Sequence, residues 1–103
     1  MEMVDLSRVI YDGMPKIPIL PEVHVQKFLS LEKGHPLNVT ELSLPCHAGT
    51  HVDAPIHIMP NGKSIEELPL DAFVGKRTRI IALPLRVKGS DAGHARIVAE
   101  ILN

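Results

Sequence analysis

The chain has 103 residues, 45% of them hydrophobic and 22% charged, with 11 Lys and Arg against 12 Asp and Glu. That length excludes two independent domains and allows one modest core. A formal charge of −1 with no basic run excludes an electrostatic footprint for nucleic acid, and no apolar window of ~18 residues offers a membrane span. Met1 to Ser7 has neither the basic start nor the apolar stretch of a signal peptide, and Cys46 is the only cysteine. Together these features predict a reducing, cytoplasmic setting.

Val4 to Tyr11 reads as a first strand closed by a turn at Asp12-Gly13. Pro15, Pro18 and Pro21 follow at a spacing of three, which favours an extended surface connection, because each proline fixes φ and disfavours α geometry in the residue before it. Val23 to Leu29 is expected as a second strand, Glu32 to Pro36 as a turn, and Leu37 to Leu44 as a third strand. In that third strand Thr40, Leu42, Leu44 and Cys46 share one face, the period of a half-buried strand. After a turn at Pro60-Asn61-Gly62, Ser64-Ile65-Glu66-Glu67 is a capping-box pattern that opens a short helix halted by Pro69. Thr78 to Leu83 predicts a largely buried strand. Asp91 then reads as the cap of a helix through Leu102, with Ile97, Val98, Ile101 and Leu102 as its apolar stripe. The expected fold class is α+β, mixed and rich in strands.

Three of the six histidines, His47, His51 and His57, fall within eleven residues. The segment His47-Ala48-Gly49-Thr50-His51-Val52-Asp53-Ala54-Pro55-Ile56-His57 is not the helical zinc motif, since Gly49 weakens a helix and Pro55 disfavours α geometry at Ala54. In extended chain His51 and Asp53 lie about 7 Å apart on one face, close enough to reach one ion, and a turn at Ala48-Gly49 returns His47 to them. His57 would stand about 20 Å from His51 on a straight strand, which places it as an acid/base beside the site. Two imidazoles and a carboxylate suit zinc or another divalent first-row metal, and Asp53 has a second oxygen with which to bridge to a second ion. The chemistry this suggests is metal-assisted hydrolysis, with His57 moving the proton.

These residues carry a resemblance. The segment is similar to the signature His-x-Gly-(Thr or Ala)-His-x-Asp-x-Pro-x-His of the cyclase-like metal hydrolases of the bacterial kynurenine formamidase, or arylformamidase, type. An early Asp5-Leu6-Ser7, the Pro-x-x-Pro segment, Gly34-x-Pro36-x-Asn38-Val39 and Pro69-Leu70-Asp71-Ala72-Phe73-Val74-Gly75 agree with it. The resemblance covers residues 3 to about 88, within one partial domain of residues 1–103 whose end, 89–103, is atypical. It implies a swivelling β/β/α fold that is incomplete in this chain, with His47, His51 and Asp53 as metal ligands and His57 as proton donor and acceptor. It also implies zinc, or alternatively manganese, with room for two ions bridged by Asp53, a small-molecule substrate such as N-formylkynurenine, and assembly as a homodimer or homotetramer.

Ile17 stands where kynurenine formamidases place a tryptophan against the substrate, so a same-family hydrolase of another amide, lactone or cyclic substrate is the alternative. Further His and Glu ligands of the family come from a second half that this chain does not contain, so a third expectation is a remnant that binds metal weakly or mediates association. Independent activity of these 103 residues is not expected. His24 and His35 read as surface residues and His94 as a solvated helix residue. Cys46 reads as a small buried thiol facing away from His47.

Overall fold

A computed structural model of the chain describes residues 2–101. Among the described residues six strands form: β1 (Glu2–Asp5), β2 (His24–Leu29), β3 (Val39–Ser43), β4 (His51–Asp53), β5 (Ile80–Pro84) and β6 (Ala92–Ile101). The described helical residues are confined to short 3-10 turns, and none is long and apolar enough to cross a membrane. β2 and β3 make a separate antiparallel ribbon, while β1, β4 and β5 all pair with β6.

The strand β6 corrects the helix expected from Asp91 to Leu102; Leu102 itself lies outside the described residues. The apolar residues Ile97, Val98 and Ile101 satisfy a helical stripe and a strand equally well, and tertiary pairing decides between them. Glu100 N–H donates to Arg79 and Leu85 N–H to the His94 carbonyl, whereas Leu6 N–H donates to Ile97 and Ala95 N–H to Thr50. Even-numbered groups of β6 therefore serve β5 along one edge, and odd-numbered groups serve β1 and β4 end to end along the other. As a strand, β6 satisfies its backbone on both sides, which an isolated helix at this place would not do. Gly93 makes the close approach possible: a Cβ there would stand 2.6 Å from the Leu85 carbonyl oxygen and 2.9 Å from Pro84 Cβ.

The first strand also ends earlier than its apolar residues suggest. The Asp5 carboxylate accepts from Ser7 N–H at 2.9 Å, and this local turn takes residues 7–11 out of the ladder. Arg96 of β6 clamps the same carboxylate through Nε at 2.7 Å. The Asp12-Gly13 turn forms as expected, with Gly13 at φ +71° and Asp12 Oδ1 accepting from Val25 N–H at 2.8 Å. The third strand is present, and burial along its apolar face is graded: Thr40 and Leu42 are exposed, Leu42 by 53%, whereas Leu44 and Cys46 beyond its end are half-buried. Ser64 forms its capping box with Glu67 around a single 3-10 turn, Ile65–Glu67, and Leu68 returns to extended geometry before Pro69.

The core is small. Met14, Val23 and Ala48 pack together with Ile10, Val25 and Leu44 around them, and Ala54, Ile65 and Ala92 are buried elsewhere. Burial of Val23 or Ile65 contributes about 2 kcal/mol each. The radius of gyration, 16.4 Å, exceeds the ~13 Å typical of a packed domain this long, in keeping with exposed Ile17, Ile19, Phe28, Leu42 and Leu70.

Candidate metal centre

Ala48 anchors the functional loop, because it is buried in the main core with Met14 and Val23. Gly49 follows at φ +73°, a conformation that glycine reaches without steric cost, and the chain reverses there so that His47 and His51 face each other. His51, Val52 and Asp53 then pair with His94, Gly93 and Ala92, so β4 alternation puts His51 and Asp53 on one face. Pro55 opens the 3-10 turn Pro55–His57, which bends the chain back.

The bend brings His57 to the side of the site, where the sequence places an acid/base. Its ring centroid lies 4.0 Å from that of His47, beside the cluster rather than remote from it. Even so, His57 does not join the donors of His51 and Asp53. Among the described residues two groups of potential ligands form: His47, His51 and Asp53, and separately His47, His57 and Asp91.

In the first group His47 Nδ1 lies 3.3 Å from His51 Nε2, and Asp53 Oδ1 lies 3.1 Å from each of those nitrogens. Ligands held at 2.0–2.1 Å around a tetrahedral ion are about 3.3 Å apart, so this triangle has the size of one face of such a site. His51 Nδ1 lies 2.8 Å from the Gly49 carbonyl oxygen; a carbonyl only accepts, so Nδ1 carries the proton and Nε2 keeps its lone pair toward the triangle. The residues present therefore fit a divalent cation. Asp53 is about half exposed and His57 38% exposed at the side chain, leaving open approaches for water or a substrate.

Asp91 was read from the sequence as a helix cap and missed as a site residue. It immediately precedes β6, and its carbonyl accepts from Ala54 N–H at 2.8 Å, which holds it beside β4. Its Oδ2 lies 2.7 Å from His47 Nε2 and 2.9 Å from His57 Nδ1. Hydrogen bonds from His47, then from His57, hold its carboxyl below the usual carboxylate range. The only local signal was the run Ser90-Asp91-Ala92-Gly93, whose small residues permit close approach.

The other histidines have structural surroundings. His94 is not a solvated helix residue: it is half-buried on β6, and its Nε2–H is shared between the carbonyls of Pro45 and Ala48, both at 3.1 Å. That bond ties the functional loop to the sheet. His35 Nδ1 accepts from Ser30 N–H, and His24 is exposed. Cys46 is half-buried with Sγ 3.5 Å from Ser90 Oγ. Ile17 stands outside the cluster, 56% exposed, at a turn where its carbonyl accepts from Leu20 N–H. A cleft of about 580 Å³ between Arg8, Ile10, Thr50, Leu85 and His94 is lined by none of the cluster residues.

A strand-built framework that brings His and Asp donors onto one face of a short strand defines a candidate metal-binding domain. The chain belongs to the putative cyclase family, whose model matches residues 4–101. That match runs past residue 88 and takes in β6 and Asp91. A kynurenine formamidase from Paracidovorax citrulli (strain AAC00-1) is 38% identical over 71 residues, which make up 69% of this chain and 33% of that protein. The aligned part is thus about a third of the relative's length.

Proposed function

We propose that the chain supplies metal ligands and the proton-transferring histidine of a metal-dependent hydrolase that cleaves a carbon–nitrogen amide bond. An arylformamidase reaction on N-formylkynurenine is the substrate reading. The observation that carries it is the lone-pair triangle of His47 Nδ1, His51 Nε2 and Asp53 Oδ1, with His57 placed next to it. The similarity to a kynurenine formamidase supports the choice of substrate. His47, His51 and Asp53 would hold the ion, zinc in the first instance and manganese as the alternative, with the second Asp53 oxygen available to a further ion. When bound, such an ion supplies Lewis acidity, lowering the pKa of water toward ~7 and polarising the formyl carbonyl.

The remaining steps fall to His57. As base it takes a proton from the water that adds to the formyl carbon, and as acid it returns that proton to the amine nitrogen as the C–N bond breaks. Formate and a free aromatic amine result, with one water consumed. A histidine suits both roles because its ordinary pKa, about 6.5, lies close to neutral pH. The proposal extends to a layered β/β/α fold for the whole enzyme, a homo-oligomer and a cytoplasmic location.

Asp53→Ala should lose bound zinc after dialysis. His57→Ala should retain it while turnover of N-formylkynurenine by the zinc-loaded chain falls by roughly 10²–10⁴-fold. Equal metal loss in both variants would sink the division of roles. A second reading, zinc binding without turnover, is favoured by the aligned third of the relative's length and by a centre with three protein donors. Stoichiometric zinc together with no measurable hydrolysis by the unaltered chain selects it.

A further inference from the structure

We infer that Asp91 is the positioning residue of this centre, fixing the proton positions of two imidazoles so that His47 Nδ1 is free for the ion and His57 Nε2 is free for proton transfer. The inference rests on the metal-site reading above.

His47 faces a carboxylate from each ring nitrogen, Asp53 Oδ1 at 3.1 Å from Nδ1 and Asp91 Oδ2 at 2.7 Å from Nε2. A neutral imidazole has one N–H. The 2.7 Å separation is that of a charge-assisted hydrogen bond and is too short for an edge of about 3.3 Å between two ligands of one ion. Nε2–H therefore donates to Asp91, and the Nδ1 lone pair turns toward His51 Nε2 and Asp53. The same argument holds at His57, whose Nδ1 lies 2.9 Å from the same Asp91 oxygen, leaving Nε2 as the acceptor. One carboxylate oxygen thus does for two rings what the Gly49 carbonyl does for His51.

Asp91 is excluded as the partner of a second, independent ion on chemical grounds. Ligation by both His47 nitrogens at once would need the imidazole stripped of its last proton. The arrangement matches a general property of metal sites, in which an outer carboxylate orients a ligating histidine and raises its basicity. Here it also reaches the proton shuttle, so one residue couples metal affinity to acid–base competence.

The test uses long-range ¹H–¹⁵N spectra of the histidine rings in the whole chain, with and without Zn²⁺, together with zinc affinity from competition with a chromophoric chelator. In the unaltered protein, neutral His57 should show the Nδ1–H tautomer; an Nε2–H tautomer would overturn the inference without any substitution. The isosteric Asp91→Asn should lose that tautomer preference and weaken zinc roughly 10–100-fold, with Asp91→Glu restoring part of it. A zinc affinity for Asp91→Asn as low as that of Asp53→Ala would make Asp91 a ligand and refute the positioning role. Asp53→Ala should abolish zinc binding yet leave the His57 tautomer unchanged. If Asp53→Ala binds zinc normally, the metal-site reading fails while the tautomer measurement still judges Asp91.

Discussion

The β2–β3 ribbon and the β4–β6 junction are both antiparallel pairings, yet they differ in almost every other respect. The ribbon joins neighbours in sequence, pairing His24 with Ser43 through Lys27 with Thr40, and it leaves Phe28 and Leu42 largely exposed. The junction joins His51 to His94 across a long stretch of chain, buries Ala92 and Gly93, and assembles the histidine and aspartate cluster. Chemistry has gathered where distant segments pack closely through small residues. The locally paired ribbon has the simpler sequence signature and none of the candidate ligands.

Gly93→Val is the most severe way to break the contrast, since any Cβ at that place collides with the Leu85 carbonyl oxygen and Pro84. Overpacking against backbone should cost about 3 kcal/mol, read as a lower urea midpoint, and should lower zinc affinity as β4 and Asp91 lose their shared frame. An unchanged midpoint would mean that β5 and β6 do not pack as described. A smaller effect is expected from acid farther along β6, at Arg96. The Arg96 side chain, with help from Ser7, holds Asp5 at about 2 against an ordinary 3.8. A depressed carboxylate contributes stability that is fully present above about pH 4 and is lost as the pH falls toward about 2. Asp5→Asn should therefore flatten the decline of the urea midpoint across that window; parallel curves would show that the pair adds nothing. Smallest of all should be Leu42→Thr on the ribbon, within about 0.5 kcal/mol in the same measurement, because its side chain is already half in water.

The comparison also explains what the sequence made legible. Strands β2, β3 and β5 lie where alternation and β-branched runs put them, and the Asp12-Gly13 turn and Ser64 capping box depend on neighbours within a few residues. That His47, His51 and Asp53 come together is legible because Gly49 permits a reversal and strand alternation sets His51 and Asp53 on one face. The helix expected at Asp91 failed because a run of apolar residues does not say whether partners will flank it. His57 is expected beside the site and lies there; its closeness to His47 comes from a proline-led 3-10 turn, a bend that alternation does not report. Asp91 was out of reach altogether: its partners lie 34 and 44 residues away, and no local periodicity reports such a meeting.

The position of β6 also gives the structure an order in time. It is the strand on which β1, β4 and β5 all converge, yet it is the last of the six to leave the ribosome. Until it emerges, those three strands have no common partner, and closing such distant pairs is slow compared with forming the ribbon. The loop that carries His47 and His51 is made about half a chain length before the strand that brings Asp91 and His94 to it. During synthesis, the histidines are therefore available to metal before the carboxylate that aligns them exists, and the cluster closes only once β6 has followed them.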